Sequence, residues 1–320
     1  MRRRSLMLGV AGAAAAALPA RAAFPERPIR VVVPYGPGGI TDIAARIVAP
    51  RLGEELGATC FVENRAGGAG MIGFNAAARS APDGYTIVLA TTALAANPVL
   101  FRTIPYDART DFAPISLMGV VPTVLVVPPN GPATLAEFVA RAKAQPGRLN
   151  FGSAGNGSGN HLSAELFNAA AGIQAVHVPY RGGGQVMTDL VSGQLSYVLA
   201  VLPTAYPFIT SGQLRALAVT GTHRSTAVPE VPTVAEALVP GFEMYEWLGL
   251  FAPAGTPPEL IGALNAAVLR AVRRPEIDAR LRDIGVETVA GSPEDLRIHL
   301  DRELNRWAEL ARQVRFEVAD

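Results

Sequence analysis

The sequence is poor in the residues that reactive and charge-reading proteins rely on. It holds one cysteine, Cys60, and one lysine, Lys143. A lone thiol cannot form an internal disulfide, and Cys60 lies in an apolar run, the setting of a small core residue and not of a nucleophile. With no lysine near a glycine-rich turn, the Walker phosphate loop is missing. The dinucleotide fingerprint G-x-G-x-x-G is met neither by Gly36-Pro37-Gly38 nor by Gly155 to Gly159. No G-x-S-x-G nucleophile elbow occurs. The four histidines, His161, His177, His223 and His299, show no metal-ligand spacing with one another or with Cys60. These absences exclude the usual signatures of phosphoryl transfer, serine hydrolysis and zinc chemistry.

Long apolar runs are also scarce. Ile29 to Val33 stops at Pro34, and Val120 to Val127 is bracketed by prolines, so neither spans a bilayer. The exception is Leu6 to Leu18, which follows Arg2, Arg3 and Arg4 and precedes small residues at Ala20 and Ala22. A positive start, a short apolar stretch and a small-residue cleavage site predict a secretory signal over residues 1–22. Arg3-Arg4-Ser5-Leu6-Met7 is similar to a twin-arginine export signal, and an ordinary Sec signal explains the same residues. The expected home is the periplasm. Charge changes meaning once this segment is removed: a formal +1 loses Arg2, Arg3, Arg4 and Arg21, and no acid, to leave −3. A mildly acidic chain without a basic stripe is a poor partner for nucleic acid or anionic membrane.

The remainder alternates strand and helix. Strands are predicted at Ile29 to Val33, Thr59 to Glu63 and Tyr85 to Ala90, with a helix between the first two that sets Ile43, Ile47 and Leu52 near one face. The alternation restarts at Thr123 to Val127 and continues through a helix at Thr134 to Ala144, Asn150-Phe151, a helix near His161 to Ala171 and a strand at Ala175 to Val178. A helix from about Gly184 to Val191 follows, then strands at Tyr197 to Val201 and Leu214 to Val219. After the proline-punctuated stretch Pro229 to Pro240 come a strand at Tyr245 to Phe251 and helices at Pro257 to Ala271, Pro275 to Ile284 and Pro293 to Val314. The pattern is that of an α/β protein with mainly parallel sheets, long enough for two domains. The expected division is 24–122 plus 223–320 as one domain and 123–222 as the other, although three consecutive domains would give the same alternation.

Three segments share one design of strand, glycine-rich turn and helix start. They are Pro34-Tyr35-Gly36-Pro37-Gly38-Gly39-Ile40-Thr41-Asp42, Ser153-Ala154-Gly155-Asn156-Gly157-Ser158-Gly159-Asn160-His161 and Pro179-Tyr180-Arg181-Gly182-Gly183-Gly184. Any one is explained as a tight connection between strand and helix. Three together, spread over both halves, point to an anion held by backbone N–H groups at helix N-termini. The candidate ligand-binding residues are therefore Tyr35, Gly38, Gly39, Thr41 and Asp42 in the first loop, with Thr91 at the end of the third strand. Ser153, Asn156, Gly157, Ser158 and His161 follow in the second loop, and Tyr180, Gly182 and Gly183 in the third. For His161 the alternative is a bond to a neighbouring backbone group, and for Asp42 a first-turn stabilising role; Arg181 suits either a carboxylate or the solvated rim.

At these loops the sequence resembles the Bug family, the substrate-binding proteins of tripartite tricarboxylate transporters. The resemblance runs through Pro28-Ile29-Arg30-Val31-Val32-Val33-Pro34, Gly38-Gly39-x-x-Asp42, Glu63-Asn64-Arg65 before Gly67-Gly68, and Ala81-Pro82-Asp83-Gly84-Tyr85-Thr86. It continues in Ser153-x-Gly155-x-Gly157-Ser158-x-x-His161-Leu162, His177-Val178-Pro179-Tyr180-Arg181-Gly182, Val231-Pro232-Thr233-x-x-Glu236 and Ala252-Pro253-Ala254-Gly255-Thr256-Pro257. The resemblance implies a fold of the periplasmic binding protein type II kind: two α/β domains joined by a hinge, a ligand cleft between them, and the C-terminal section returning to the first domain. It implies a monomeric receptor, without cofactor or metal, that holds a small organic carboxylate for the membrane subunits of a tripartite tricarboxylate-type transporter. The sequence departs from the family after Gly193-Gln194-Leu195, where Ser196-Tyr197-Val198-Leu199-Ala200-Val201 replaces an aspartate and a Phe-centred stretch. Ala200 and Val201 are the expected apolar wall of the pocket, which favours an apolar or aromatic acid over a densely charged tricarboxylate. Two other classes fit part of the pattern: a sensory binding protein reporting to a membrane kinase, and a hydrolase using Ser158 with His161.

Overall fold

A computed structural model describes residues 24–180 and 183–313. The predicted signal segment, Arg181 and Gly182 lie outside the described residues. In chain order the elements are β1 (Ile29–Val33), α1 (Ile40–Leu56), β2 (Cys60–Asn64), α2 (Met71–Ala78), β3 (Thr86–Ala90), α3 (Thr92–Leu100) and β4 (Phe112–Val127). Then come α4 (Leu135–Ala144), β5 (Leu149–Ser153), α5 (Gly159–Ala171), β6 (Ala175–Pro179), α6 (Gly183–Val191), β7 (Val198–Val201), α7 (Leu202–Thr210) and β8 (Arg215–Val219). The last are α8 (Val234–Ala237), β9 (Tyr245–Pro253), α9 (Pro258–Val272), α10 (Pro275–Asp283), β10 (Glu287–Thr288) and α11 (Pro293–Gln313). No helix among the described residues is long and apolar enough to cross a membrane.

The first lobe is a sheet in the order β10-β4-β9-β3-β1-β2. Its parallel strands β1 and β3 are mostly apolar, with Arg30 and Thr86 the exceptions, because helices cover both faces, and β3 is buried at every residue. The second lobe uses the far end of β4, which β7 and β8 flank antiparallel, while β5 and β6 form a parallel pair joined on by a bridge from Phe151 to Tyr197. Each lobe has a parallel pair at one edge, β1–β2 in the first and β5–β6 in the second, and the returning strand β9 completes the first sheet.

β4 is the physical link between the lobes. Its residues up to Pro122 pair with β9, and from Thr123 onward it pairs with β7. The crossing is stitched by one buried hydroxyl. Thr220 Oγ1 accepts from the Thr123 N–H at 2.9 Å and lies 2.6 Å from the Met244 carbonyl, to which it donates. The backbone groups of Thr220 meet Thr123 and Met244 as well, each at 2.9 Å. Thr220→Val is expected to cost about 1–3 kcal/mol in urea unfolding, because the Thr123 N–H loses its buried acceptor.

Cys60 is buried, and burial pushes its thiol up to about 11, so it is an inert core residue.

The candidate ligand cleft between the lobes

The first loop is built around Asp42. Its carboxylate accepts from the Gly38 N–H at 2.9 Å, from Arg46 Nε at 3.0 Å and from Asn64 Nδ2 at 2.8 Å. Burial pushes this carboxyl up, but bonds from Arg46, Gly38 and Asn64 outweigh it and hold Asp42 below the usual range. Asn64 also reaches the Tyr35 carbonyl at 3.0 Å. Asp42 therefore shapes the loop and has its oxygens spoken for. What the loop offers a ligand is backbone: Gly39 is the N-cap of α1 and closes no side-chain cap. A Cβ at Gly36, Gly38 or Gly39 would meet nothing within 4 Å. Thr41 is buried at the same helix start. Tyr35 turns towards the third strand, with its hydroxyl 2.7 Å from Thr91 Oγ1, and Thr91 caps α3 through the Ala93 N–H.

The second loop is held by a stack of rings. His161 lies on His177 with centroids 4.1 Å apart, and His177 lies on Phe151 at 4.9 Å. Nδ1 of His161 accepts from the Gly157 N–H at 3.2 Å, and His177 Nε2 sits 2.6 Å from Ser153 Oγ. Burial pushes His161 down to about 3, helped by His177, and burial pushes His177 down to about 4. Both rings are neutral in any ordinary buffer, and His161 is a loop-holder that bonds its neighbouring backbone. Ser153 is 0% exposed and bonded to the same loop, so its hydroxyl is inward-facing. Ser158 Oγ donates to the Gly155 carbonyl at 2.7 Å, away from His161, so the two do not form a nucleophile–base pair. Ser158 is the N-cap of α5 yet makes no side-chain cap, which leaves the first N–H groups of that helix open. Asn156 is exposed beside them.

In the third loop Gly182 lies outside the described residues, and Gly183 begins α6. A Cβ at Gly184 would meet nothing within 4 Å. The Tyr180 hydroxyl donates to Asp189 at 2.7 Å and so braces α6. Ala200 is 1% exposed and packs within the second lobe's own core, while Val201 is half-buried and packs against the core of the first lobe. The side chain that reaches between the lobes at this point is Val201.

The lobes touch at the second loop. A Cβ at Gly157 would lie 3.0 Å from that of Ala69, in the connection before α2, and 3.5 Å from Asn97 Oδ1 of α3. Gly157 has φ +75°, a left-handed conformation that suits glycine. Asn97 in turn donates to the Ala69 carbonyl at 3.1 Å. Next along, a Cβ at Gly159 would lie 2.6 Å from Oε2 of Glu246 on β9. Asn160 ties the start of α5 to the Leu199 carbonyl of β7 at 2.7 Å. Ala69, Asn97, Asn160 and Glu246 were not among the residues expected from sequence. Asn160 stands within the second glycine loop, and Glu246 left a trace as a lone acid in the apolar run Tyr245-Glu246-Trp247-Leu248-Gly249.

Two α/β lobes hinged on the crossing strand β4, with the start of α5 set against the opposing lobe, define a periplasmic binding protein fold. The chain belongs to the tripartite tricarboxylate transporter receptor family, whose model matches residues 44–316. It is 38% identical to protein BugT of Bordetella pertussis over 294 residues, which are 91% of this chain and 90% of that protein. Among solved structures, an R. palustris protein with adipate superposes at a TM-score of 0.81 with 36% identity, covering 91% of this chain and 98% of that one. MatC from Rhodopseudomonas palustris with bound malate does so at 0.80 with 33% identity, covering 90% and 99%.

Proposed function

We propose that this protein is an exported, monomeric periplasmic receptor that captures a small organic carboxylate between its lobes and delivers it, unchanged, to the membrane subunits of a tripartite tricarboxylate-type transporter. Residues 24–122 with 223–320 form one lobe in this reading and 123–222 the other, after removal of a signal peptide. The observation that carries it is the pair of uncapped helix starts, α1 at Gly39 and α5 at Ser158, one from each lobe. Four backbone N–H groups at the start of a helix lack partners within it, and the helix dipole makes that end attractive to an anion. Relatives solved with adipate and malate support the acid class. The candidate contacts are the backbone of Gly39, Gly182 and Gly183, with Thr41, Asn156 and Val201 beside them, while the N–H groups of Gly38, Gly157 and Ser158 are engaged by Asp42, His161 and the Gly155 carbonyl and hold the loops in shape. With no lysine in the loops and an acid, Glu246, at the base, the site favours a monocarboxylate or a weakly charged apolar acid over citrate.

A thermal-shift panel on the mature protein, with benzoate, adipate, malate and citrate, tests this. An acid at about 100 times its dissociation constant should add about 2.7 kcal/mol of stability and be recovered unchanged. A panel without any shift, or turnover that disappears in Ser158→Ala, would count against the receptor.

A further inference from the structure

Glu246 is the group in the cleft that the fold does not account for. It stands on β9 opposite Val121 of β4, 7% exposed, and its Oε2 has no hydrogen-bond partner among the described residues. Four segments close on it. From the start of α3 come the Thr91 and Thr92 hydroxyls and the Thr92 N–H. These act on the carboxylate without closing a bond of ordinary geometry on Oε2, and Thr92 Oγ1 is itself unpartnered among the described residues. From α5 comes Gly159, against Oε2, followed on the same helix by neutral His161 and by Glu165, which burial pushes up to about 7. From α11 comes Glu303, which Arg306 faces at 3.4 Å. From the first loop comes the Tyr35 phenol, which burial holds protonated.

A carboxylate in this place shares the start of α5 with an acid ligand and stands beside the capped start of α3. Two negative charges side by side in a dry site disfavour each other strongly, as in paired carboxylates that share one proton. We propose that Glu246 couples ligand capture to protonation: when an acid anion enters the cleft, Glu246 takes one proton from solvent onto Oε2 and, as a neutral acid, donates a hydrogen bond to the ligand or to a water beside it. This rests on the carboxylate-receptor reading and adds to it a requirement on the receptor's own charge. Burial pushes Glu246 up to about 7, with Glu303 adding to the rise and Thr91 and Thr92 opposing it. The free protein therefore carries Glu246 as a mixture of both forms at neutral pH, and the acid-bound protein carries it protonated. The sign follows by linkage: the ligand prefers the protonated receptor, so affinity is full below about pH 6 and falls about tenfold per pH unit above about 7.

The test is calorimetry of the mature protein with benzoate and with adipate from pH 6 to 8.5, repeated in phosphate and Tris to count protons. The expected result is uptake of about one proton per ligand at pH 8. Glu246→Gln, neutral at every pH, should bind equally at pH 6 and pH 8 and about tenfold more tightly than the native protein at pH 8. A native affinity that does not change with pH, with no proton uptake, overturns the proposal. So does a folded Glu246→Gln that binds neither acid at any pH while the native protein does, because that marks an ionised Glu246, holding a donor of the site itself, as the form that capture requires. Carboxyl 13C titration of the ligand-free native protein needs no variant, and a Glu246 midpoint below about 5 overturns the proposal by itself. If neither protein binds any acid while Glu246 titrates near 7, it is the receptor reading that fails, and the coupling falls with it.

Discussion

Gly157→Val is expected to weaken capture of a bound acid by about a hundredfold while leaving both lobes folded. Gly157 has φ +75°, where a β-branched residue is strained, at a cost of about 1–3 kcal/mol. Its Cβ would arrive 3.0 Å from the Ala69 Cβ, 3.5 Å from Asn97 Oδ1 and 3.6 Å from Leu100 Cδ1, all on the opposing lobe. Overpacking of this kind adds about 1–3 kcal/mol. The hydrogen bond from the Gly157 N–H to His161 keeps the loop from swinging away freely. The cheapest response is to hold the lobes apart, which lifts the start of α5 off the ligand. Gly147→Val is the control: its φ is +70°, but a Cβ there meets nothing within 4 Å, so it carries the strain without the contact. Calorimetry should show normal affinity for Gly147→Val and lost affinity for Gly157→Val, and small-angle scattering should show that only the latter fails to compact with ligand. Equal loss in both variants would mean that strain, and not the contact between lobes, is responsible.

Trp247→Ala is expected to be the most destabilising single truncation near the cleft, at about 3–5 kcal/mol. The indole is 0% exposed and meets His299 edge-on at a centroid distance of 5.3 Å, with Phe251 at 6.4 Å. It belongs to a core cluster that runs from Phe74 and Val88 in the first lobe to Phe138 and Phe167 in the second, with Trp307 of α11 included. Urea unfolding should show the midpoint falling with little change in slope. A loss under about 1 kcal/mol would show that α11 collapses into the space.

The sequence disclosed the helices and strands that carry a single dominant pattern. β1 reads as a β-branched run between breakers, and α5 and α11 begin where glycine or serine turns end. It did not disclose α3 or α7, whose interior prolines, Pro98 and Pro207, look like stops. Each helix is nine residues long and tolerates its proline because neighbouring structure packs it. The expected strand from Thr123 proved to be the end of a sixteen-residue β4. Pro114 and Pro122 disguise its first half, and Pro114 is absorbed where the register with β9 shifts.

The site was legible to the same degree. Strand-loop-helix patterns marked the glycine loops because their signal is local. The partners of those loops are not local: Asp42 finds Asn64, His161 finds His177, and Gly159 finds Glu246 only once the lobes have folded and met. Ala200 and Val201 are adjacent in sequence, and strand alternation sends one into a core and the other between the lobes, a choice that composition cannot express.

The most direct test of the central claim is a crystal structure of the mature protein with the acid that gives the largest thermal shift. The account predicts one ligand between the lobes, its carboxylate oxygens about 2.7–3.1 Å from N–H groups at the starts of α1 and α5. A ligand seated elsewhere, for example in the surface cavity beside Asn130, Arg141 and Ser196, would contradict it.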